Sequence, residues 1–387
     1  MKRMLIVNNN MHIGGVQKAL VSLLWNLPAD FEVTLLLFSP TGECLKQIPP
    51  HVRVIPVQSA YRYLGISGAQ TRGKWDKLCR SFYGAVTRVF GRRLAVGLMA
   101  LGQKKIKGYD IAISYLHNAG NKLFYGGCND FVIKHVSAEK KITFLHCDYL
   151  LCGANTPQNR KLYEKFDAIA ACSGGCGETF VQANPHLRER VLVVPNCHRF
   201  DQIRRLAEEA PVRLPQDRVN VVTVARLGKE KGVERALEAI AKLPNKEKLH
   251  YHIIGDGIQM PLVRDIIDRE RLSDMVTLYG MLENPYGYLR AADLLLIPSY
   301  SEAAPLVIGE AACLETPILS TETSSAREMI EKTGFGWVCE NSEEAMTAAL
   351  QALLEDPKML KSVKKTLAES PVTNERAVKQ FISLMNM

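Results

Sequence analysis

No stretch of this sequence is apolar for long enough to cross a bilayer. The longest near-continuous run, "LAVGLMALG" at residues 94–102, is about half of a membrane span. After the basic pair Lys2 and Arg3 the N-terminus offers only four apolar residues, "MLIV", too few for the core of a secretory leader. The expectation is a cytoplasmic protein, one that can meet the cell membrane only from its inner face. Ten cysteines are present, scattered rather than set out in two pairs. Cys172 and Cys176 in "CSGGC" come closest, and no second pair or histidine pair completes a zinc site. Reduced thiols and no metal are therefore expected. The common nucleotide fingerprints are missing too. "HIGGVQ" lacks G-x-G-x-x-G, "IIGDGIQ" has only its first two glycines, and "EVTLLLF" runs into "SPTG" with no acid placed for a ribose. There is no G-x-x-x-x-G-K-[ST] loop either. A dinucleotide enzyme and a P-loop NTPase are excluded, and no cofactor is expected.

What is present is a long series of βα signals. At 387 residues the chain exceeds one ordinary hydrophobic core, so two domains are expected. The first half opens with "MLIVNN", a glycine-containing loop and the helical pattern "KALVSLLWNL", then continues through "EVTLLLF", "DIAISYL", "KITFLHC", "AIAAC" and "RVLVVPN". From Val219 the arrangement repeats, with "VNVVTVARL", "LHYHIIGDG", "MVTLYG", "DLLLIPS", "TPILST" and "GWVCEN" separated by helical stretches. Short β-rich runs alternating with helices indicate parallel sheets. Two doubly wound α/β domains follow, each binding ligand at the carboxyl ends of its strands. The expected division is 1–197, 198–366, and a C-terminal helix at 367–387 packing back on the first domain.

Charge is unevenly placed. Residues 60–110 hold eleven Lys and Arg, Arg72 among them, against Asp76 and Asp110, a surplus equal to the whole net charge of +9. Within this segment Trp75, Leu78, Phe82, Val86, Val89 and Phe90 recur at helical spacing, with Lys74, Lys77, Arg80 and Arg88 on the other face. Such a helix suits an anionic membrane surface, and equally a core helix with a solvated basic face. No nucleic-acid-binding motif accompanies the charge, so nucleic acid is not an expected partner.

Three features point to phosphate and sugar chemistry. In "VARLGKEKGV" a buried strand ends at Ala225, and Arg226 and Lys231 follow, a fork of donors and a mobile point charge suited to adjacent phosphates. In "YSEAAPLVIGEAA" a loop of small residues leads into a helix whose first turn carries Pro305, an N-terminus able to take a phosphate. Glu302 lies in that loop and Glu310 in the helix, and an ionised carboxylate accepts from paired hydroxyls. One carboxylate for a ribose and one for a sugar is the economical assignment.

In this order, Arg226-x4-Lys231, "IIGDG" and Glu302-x7-Glu310 within "EAAPLVIGEAACLETP" resemble the retaining glycosyltransferases of family 4. "MHIGGVQKAL" and "FLHCDY" extend the likeness more loosely into the first half. The resemblance implies the GT-B fold, two Rossmann-like domains facing each other across a cleft. It implies a nucleotide-sugar donor, a UDP-sugar by family frequency with a guanosine nucleotide as the alternative, held mainly by the second domain. A glycan or lipid-linked acceptor would sit mainly on the first. By this carry-over Arg226 and Lys231 neutralise the donor diphosphate, Glu310 holds the ribose and Glu302 faces the sugar. Ala304, Pro305, Leu306 and Val307 line the donor pocket, and Gly14 and Gly15 let backbone approach diphosphate or acceptor. His146 lies near the reacting centre, where His117 could compete with it, and Asp148 orients the acceptor or His146. No D-x-D occurs, so a bridging metal is not indicated. The implied setting is bacterial surface polysaccharide or glycolipid synthesis. A nucleotide-sugar epimerase and a non-catalytic binding or regulatory protein on the same scaffold are the alternatives.

Overall fold

A computed structural model of the chain describes residues 1–66, 71 and 73–387, and Arg72 of the basic segment lies outside them. The chain forms two compact units, Met1–Cys197 with Asn374–Met387, and His198–Thr373.

The first unit is built on seven strands: β1 (Lys2–Asn8), β2 (Phe31–Leu37), β3 (Arg53–Pro56), β4 (Ile111–Ser114), β5 (Lys140–Leu145), β6 (Ala168–Ala171) and β7 (Val191–Val193). Their order is β3-β2-β1-β4-β5-β6-β7, and every pairing is parallel. The central strands are apolar almost without interruption because helices cover both faces, which removes the in–out alternation of a half-exposed sheet. The helix Glu375–Asn386 belongs to this unit, adding Phe381 and Leu384 to the core, with the Phe381 ring 6.4 Å from those of Phe31 and Phe144. The boundary expected at 366/367 falls inside helix Lys358–Glu369. Leu360 of that helix packs in the second core, so the change of unit waits until Thr373.

In the second unit β8 (Val219–Val224), β9 (Leu249–Ile254), β10 (Val276–Gly280), β11 (Leu294–Ile297), β12 (Ile318–Thr321) and β13 (Gly336–Cys339) lie in the order β10-β9-β8-β11-β12-β13, again all parallel. Strand order reverses between β1 and β4 in one unit and between β8 and β11 in the other. The crevice beyond the carboxyl ends of such a strand pair is where this architecture binds ligands. All the motif loops leave from these strands or their neighbours.

The basic segment forms helix Gly73–Phe90, followed by Arg92–Met99. Its two readings separate here. Trp75, Phe82 and Phe90 are 78%, 54% and 69% exposed, and Leu78 and Val89 are exposed with them, so the apolar stripe is not a core face. Only Val86 and Thr87 of this helix are buried. Arg92, one of the eleven basic residues of the segment, is buried, its Nη1 2.7 Å from Oδ2 of Asp130. Among the described residues no helix is long and apolar enough to cross a membrane.

Candidate active site

Two residues past the end of β8 stands Arg226, and the turn Lys229–Lys231 leads into helix Val233–Ala241. The structure joins Lys231 to Glu302: Nζ lies 2.6 Å from Oε1, and the Ser299 hydroxyl donates to the same oxygen at 2.8 Å. The Glu302 carbonyl accepts from the Ser324 hydroxyl at 2.9 Å. Two expected site residues, far apart in sequence, thus share one ion pair that is largely shielded from solvent. Arg226 does not converge with them. Its guanidinium, 71% exposed, pairs with Glu230 on its own turn. An exposed pair of this kind is worth little and leaves the arginine free to change partner.

Glu310 is buried in helix Leu306–Cys313, where the Tyr286 hydroxyl donates to its Oε1 at 3.3 Å. Burial, and then the neighbouring Glu310, push the Tyr286 phenol well above its ordinary range, so it stays a donor. Pro305 precedes the helix as its cap residue rather than riding in its first turn, and no side chain caps the N-terminus. Ala304, Pro305, Leu306 and Val307 are half-buried around it. With no acid in the first turn, that end keeps the positive potential that attracts an anion.

Four contributors were not foreseen from sequence. Ser299 and Tyr286 are recognisable only once folding brings them to the two carboxylates. His198 lies flush on the same helix, so that a Cβ at Gly309 would come 2.4 Å from its Nε2, and burial lowers its pKa to about 4. Arg235 is buried inside helix Val233–Ala241, where its Nε donates to the Pro298 carbonyl at 2.7 Å. Its other nitrogens reach Asn341 Oδ1 at 2.7 Å and Thr321 Oγ1 at 3.1 Å, while the guanidinium lies over the Tyr300 ring. Arg235 therefore holds the loop on which Ser299 and Glu302 stand.

In the first unit His146 directly follows β5, its ring stacked on Phe144 and 4.8 Å from Tyr115. Its Nε2 is enclosed and has no hydrogen-bond partner among the described residues. Burial, reinforced by His117 and opposed by a backbone hydrogen bond at Tyr115, lowers its pKa to about 3. His117, three residues past β4, is lowered by burial to about 4. Both rings are neutral at physiological pH, fit to exchange single hydrogen bonds with hydroxyls. Asp148 is buried, and its Oδ1 accepts from the N–H groups of Leu150 (3.1 Å) and Leu151 (3.2 Å), so this oxygen shapes its own turn. Gly14 is extended, and a Cβ on Gly15 would meet nothing within 4 Å. Neither glycine is needed to turn the chain; Gly15 leaves open space at the uncapped start of helix Gly15–Asn26, while a Cβ on Gly14 would come 2.7 Å from Oε1 of Gln17.

Residues 205–369 match the family of glycosyl transferases group 1. This match covers most of the second unit. The chain is 31% identical over 154 residues to a putative colanic acid biosynthesis glycosyltransferase, WcaL, of Escherichia coli K12, covering 37% of each chain. It is 29% identical over 205 residues to an N-acetylgalactosamine-N,N'-diacetylbacillosaminyl-diphospho-undecaprenol 4-alpha-N-acetylgalactosaminyltransferase of Campylobacter jejuni, covering 52% of this chain and 55% of that one. The matched region thus spans between about two fifths and a little over half of these relatives. Among solved structures, Anabaena HepE in complex with UDP aligns over 100% of both chains with a TM-score of 0.67 at 16% identity. At that identity the likeness is one of fold, and it is the GT-B architecture that the family resemblance implies.

Proposed function

We propose that the protein is a glycosyltransferase of bacterial surface polysaccharide or glycolipid synthesis. It moves a sugar from a UDP-sugar to a glycan or lipid-linked acceptor, with retention of configuration and without a metal. The observation that carries this reading is the Lys231–Glu302–Ser299 cluster in the strand-end crevice of the second unit. Lys231 has three N–H donors and gives one to Glu302, so two remain to address a diphosphate. As the bond from the sugar C1 to the β-phosphate breaks, negative charge grows on the leaving oxygen. Lys231, the mobile Arg226 and the uncapped helix start are aimed to stabilise it. The acceptor hydroxyl adds to C1 from the same face and gives its proton to the departing phosphate, so no protein nucleophile is required. Glu302, held by Lys231 and Ser299, reads sugar hydroxyls, and Glu310 with Tyr286 reads the ribose. The neutral His146 bonds a hydroxyl near the reacting carbon.

Incubating the protein with UDP-sugars, with and without lipid-linked glycan acceptors, tests this against the epimerase. Transfer only when acceptor is present, with the C1 configuration kept by NMR, is expected. Conversion of the donor to its epimer without acceptor would make the protein an epimerase. If instead Glu302→Ala and Lys231→Ala chains function normally in cells, a binding or regulatory role is left.

The same reading places helix Gly73–Phe90 on an anionic leaflet, with Trp75, Phe82 and Phe90 entering the interface and Lys74 and Lys77 meeting lipid phosphates. The exposure of this stripe motivates it. Sedimentation with phosphatidylglycerol vesicles is expected to carry the protein down, and each of Trp75→Ser and Phe82→Ser to weaken binding about tenfold. Equal binding to neutral vesicles, or no loss in the variants, would rule this surface out.

A further inference from the structure

Cys147 and Cys152 bracket the turn after β5, and His117 follows β4, the strand paired to it. One ligand atom from each lies within 4.8 Å of the other two, and this is the one such group of three found among the described residues. The two sulfurs are 2.9 Å apart as free thiols. Nδ1 of His117 is enclosed and lacks a hydrogen-bond partner among the described residues, an arrangement that buried nitrogens seldom keep.

We propose that His117, Cys147 and Cys152 form a binding site for a soft divalent cation of the zinc class. Two thiolates and an imidazole are ligands that select zinc over calcium or magnesium. Around a tetrahedral zinc ion, ligand atoms stand about 3.5–3.8 Å apart, and the observed 2.9 to 4.8 Å brackets that spacing. Small side-chain rotations suffice to load it, with both thiol protons released.

The backbone is already held in place for this. The Cys176 thiol donates to the carbonyls of Cys147 at 3.0 Å and Leu145 at 3.6 Å, and the Cys152 N–H donates to the Asp148 carbonyl at 2.9 Å. Cys176, the residue that makes "CSGGC" look like half of a metal motif, thus supports the ligand loop from behind. Three protein ligands leave a fourth position for water or a ligand oxygen. Since Cys147 adjoins His146, an ion here would stiffen the segment that carries this histidine. The site does not rest on the transferase reading.

The test is titration of the reduced, metal-stripped full chain with Co²⁺. One ion per chain is expected, with a sulfur-to-cobalt charge-transfer band that Zn²⁺ abolishes. Cys147→Ser with Cys152→Ser, and separately His117→Ala, should each weaken binding on the order of 100-fold. Circular dichroism confirms that these variants fold, and Cys339→Ser, in the other unit, should bind as the parent does. Absence of the thiolate band, or equal binding by the double variant, overturns the proposal. So does failure to take up metal in a chain whose mass, before reduction, is about 2 Da low from a Cys147–Cys152 disulfide.

Discussion

Replacing Lys231 by alanine is expected to slow sugar transfer by about 10²–10³-fold, the cost of removing one preorganised donor from developing negative charge. The residue is central because it has two partners in prospect. In the structure its ammonium lies 2.6 Å from Glu302, and in the transfer proposed above it also faces the leaving diphosphate. Removing it therefore takes away a positive charge and leaves Glu302, in a shielded site, with the Ser299 hydroxyl alone as its side-chain donor among the contacts described. The loss should fall mainly on kcat, because charge on the β-phosphate grows between ground state and transition state. Lys231→Arg should recover only part of it, since a planar fork does not reproduce a compact ammonium between two anions. Steady-state kinetics with saturating donor decide the matter, and a variant within a few-fold of the parent would remove Lys231 from the chemistry.

The second large effect is expected at Gly255, in the turn after β9. Its φ is +144°, and a Cβ would lie 1.8 Å from the carbonyl oxygen of Ala225, the residue before Arg226. The two motif loops are in backbone contact here. Leu227 donates its N–H to the Asp256 carbonyl at 2.9 Å, and Gln259 donates back to the Leu227 carbonyl at 3.0 Å. Neither backbone can give way without breaking these bonds. Gly255→Ala is therefore expected to cost about 3–5 kcal/mol, at the high end for a single substitution. The melting temperature of the second unit should fall by roughly 10 °C. Gly15→Ala is the natural contrast: its Cβ would enter open space, and stability should hardly change. Calorimetric scans of both variants check the pair. An unperturbed Gly255→Ala would mean that the Arg226 loop is not braced by the turn beneath it.

These effects also show where sequence reasoning succeeds. Both sheets apart from the edge strand β3 were legible because strands covered on two faces must be apolar throughout, and runs such as "LLLI" at β11 can hardly be anything else; "RVIP" at β3 has no buried residue and does not read as a strand. Site loops were legible for a related reason: in a doubly wound sheet, whatever follows β8 or β11 lies at the crevice. Partners were not legible. Nothing in "RLGKEK" says that Arg226 pairs with Glu230 while Lys231 reaches 71 residues onward to Glu302. Arg235 reads as an ordinary surface arginine, and only the fold brings the Pro298 carbonyl beneath it. Helix Gly73–Phe90 shows the limit of periodicity itself, which says that a helix has two faces but not which one is covered. Its aromatic stripe faces outward, while Arg92 turns inward to Asp130, 38 residues away.

The central claim, that the strand-end crevice of the second unit holds a nucleoside diphosphate with its ribose on Glu310, can be tested by one calorimetric titration. UDP and its 2′,3′-dideoxy analogue are each titrated into the parent chain and into Glu310→Gln. UDP is expected to bind the variant about 10–100-fold more weakly, the worth of hydrogen bonds to a charged acceptor, while the dideoxy analogue binds both chains alike. Equal affinity of UDP for both chains, or an equal loss for both ligands, would contradict it.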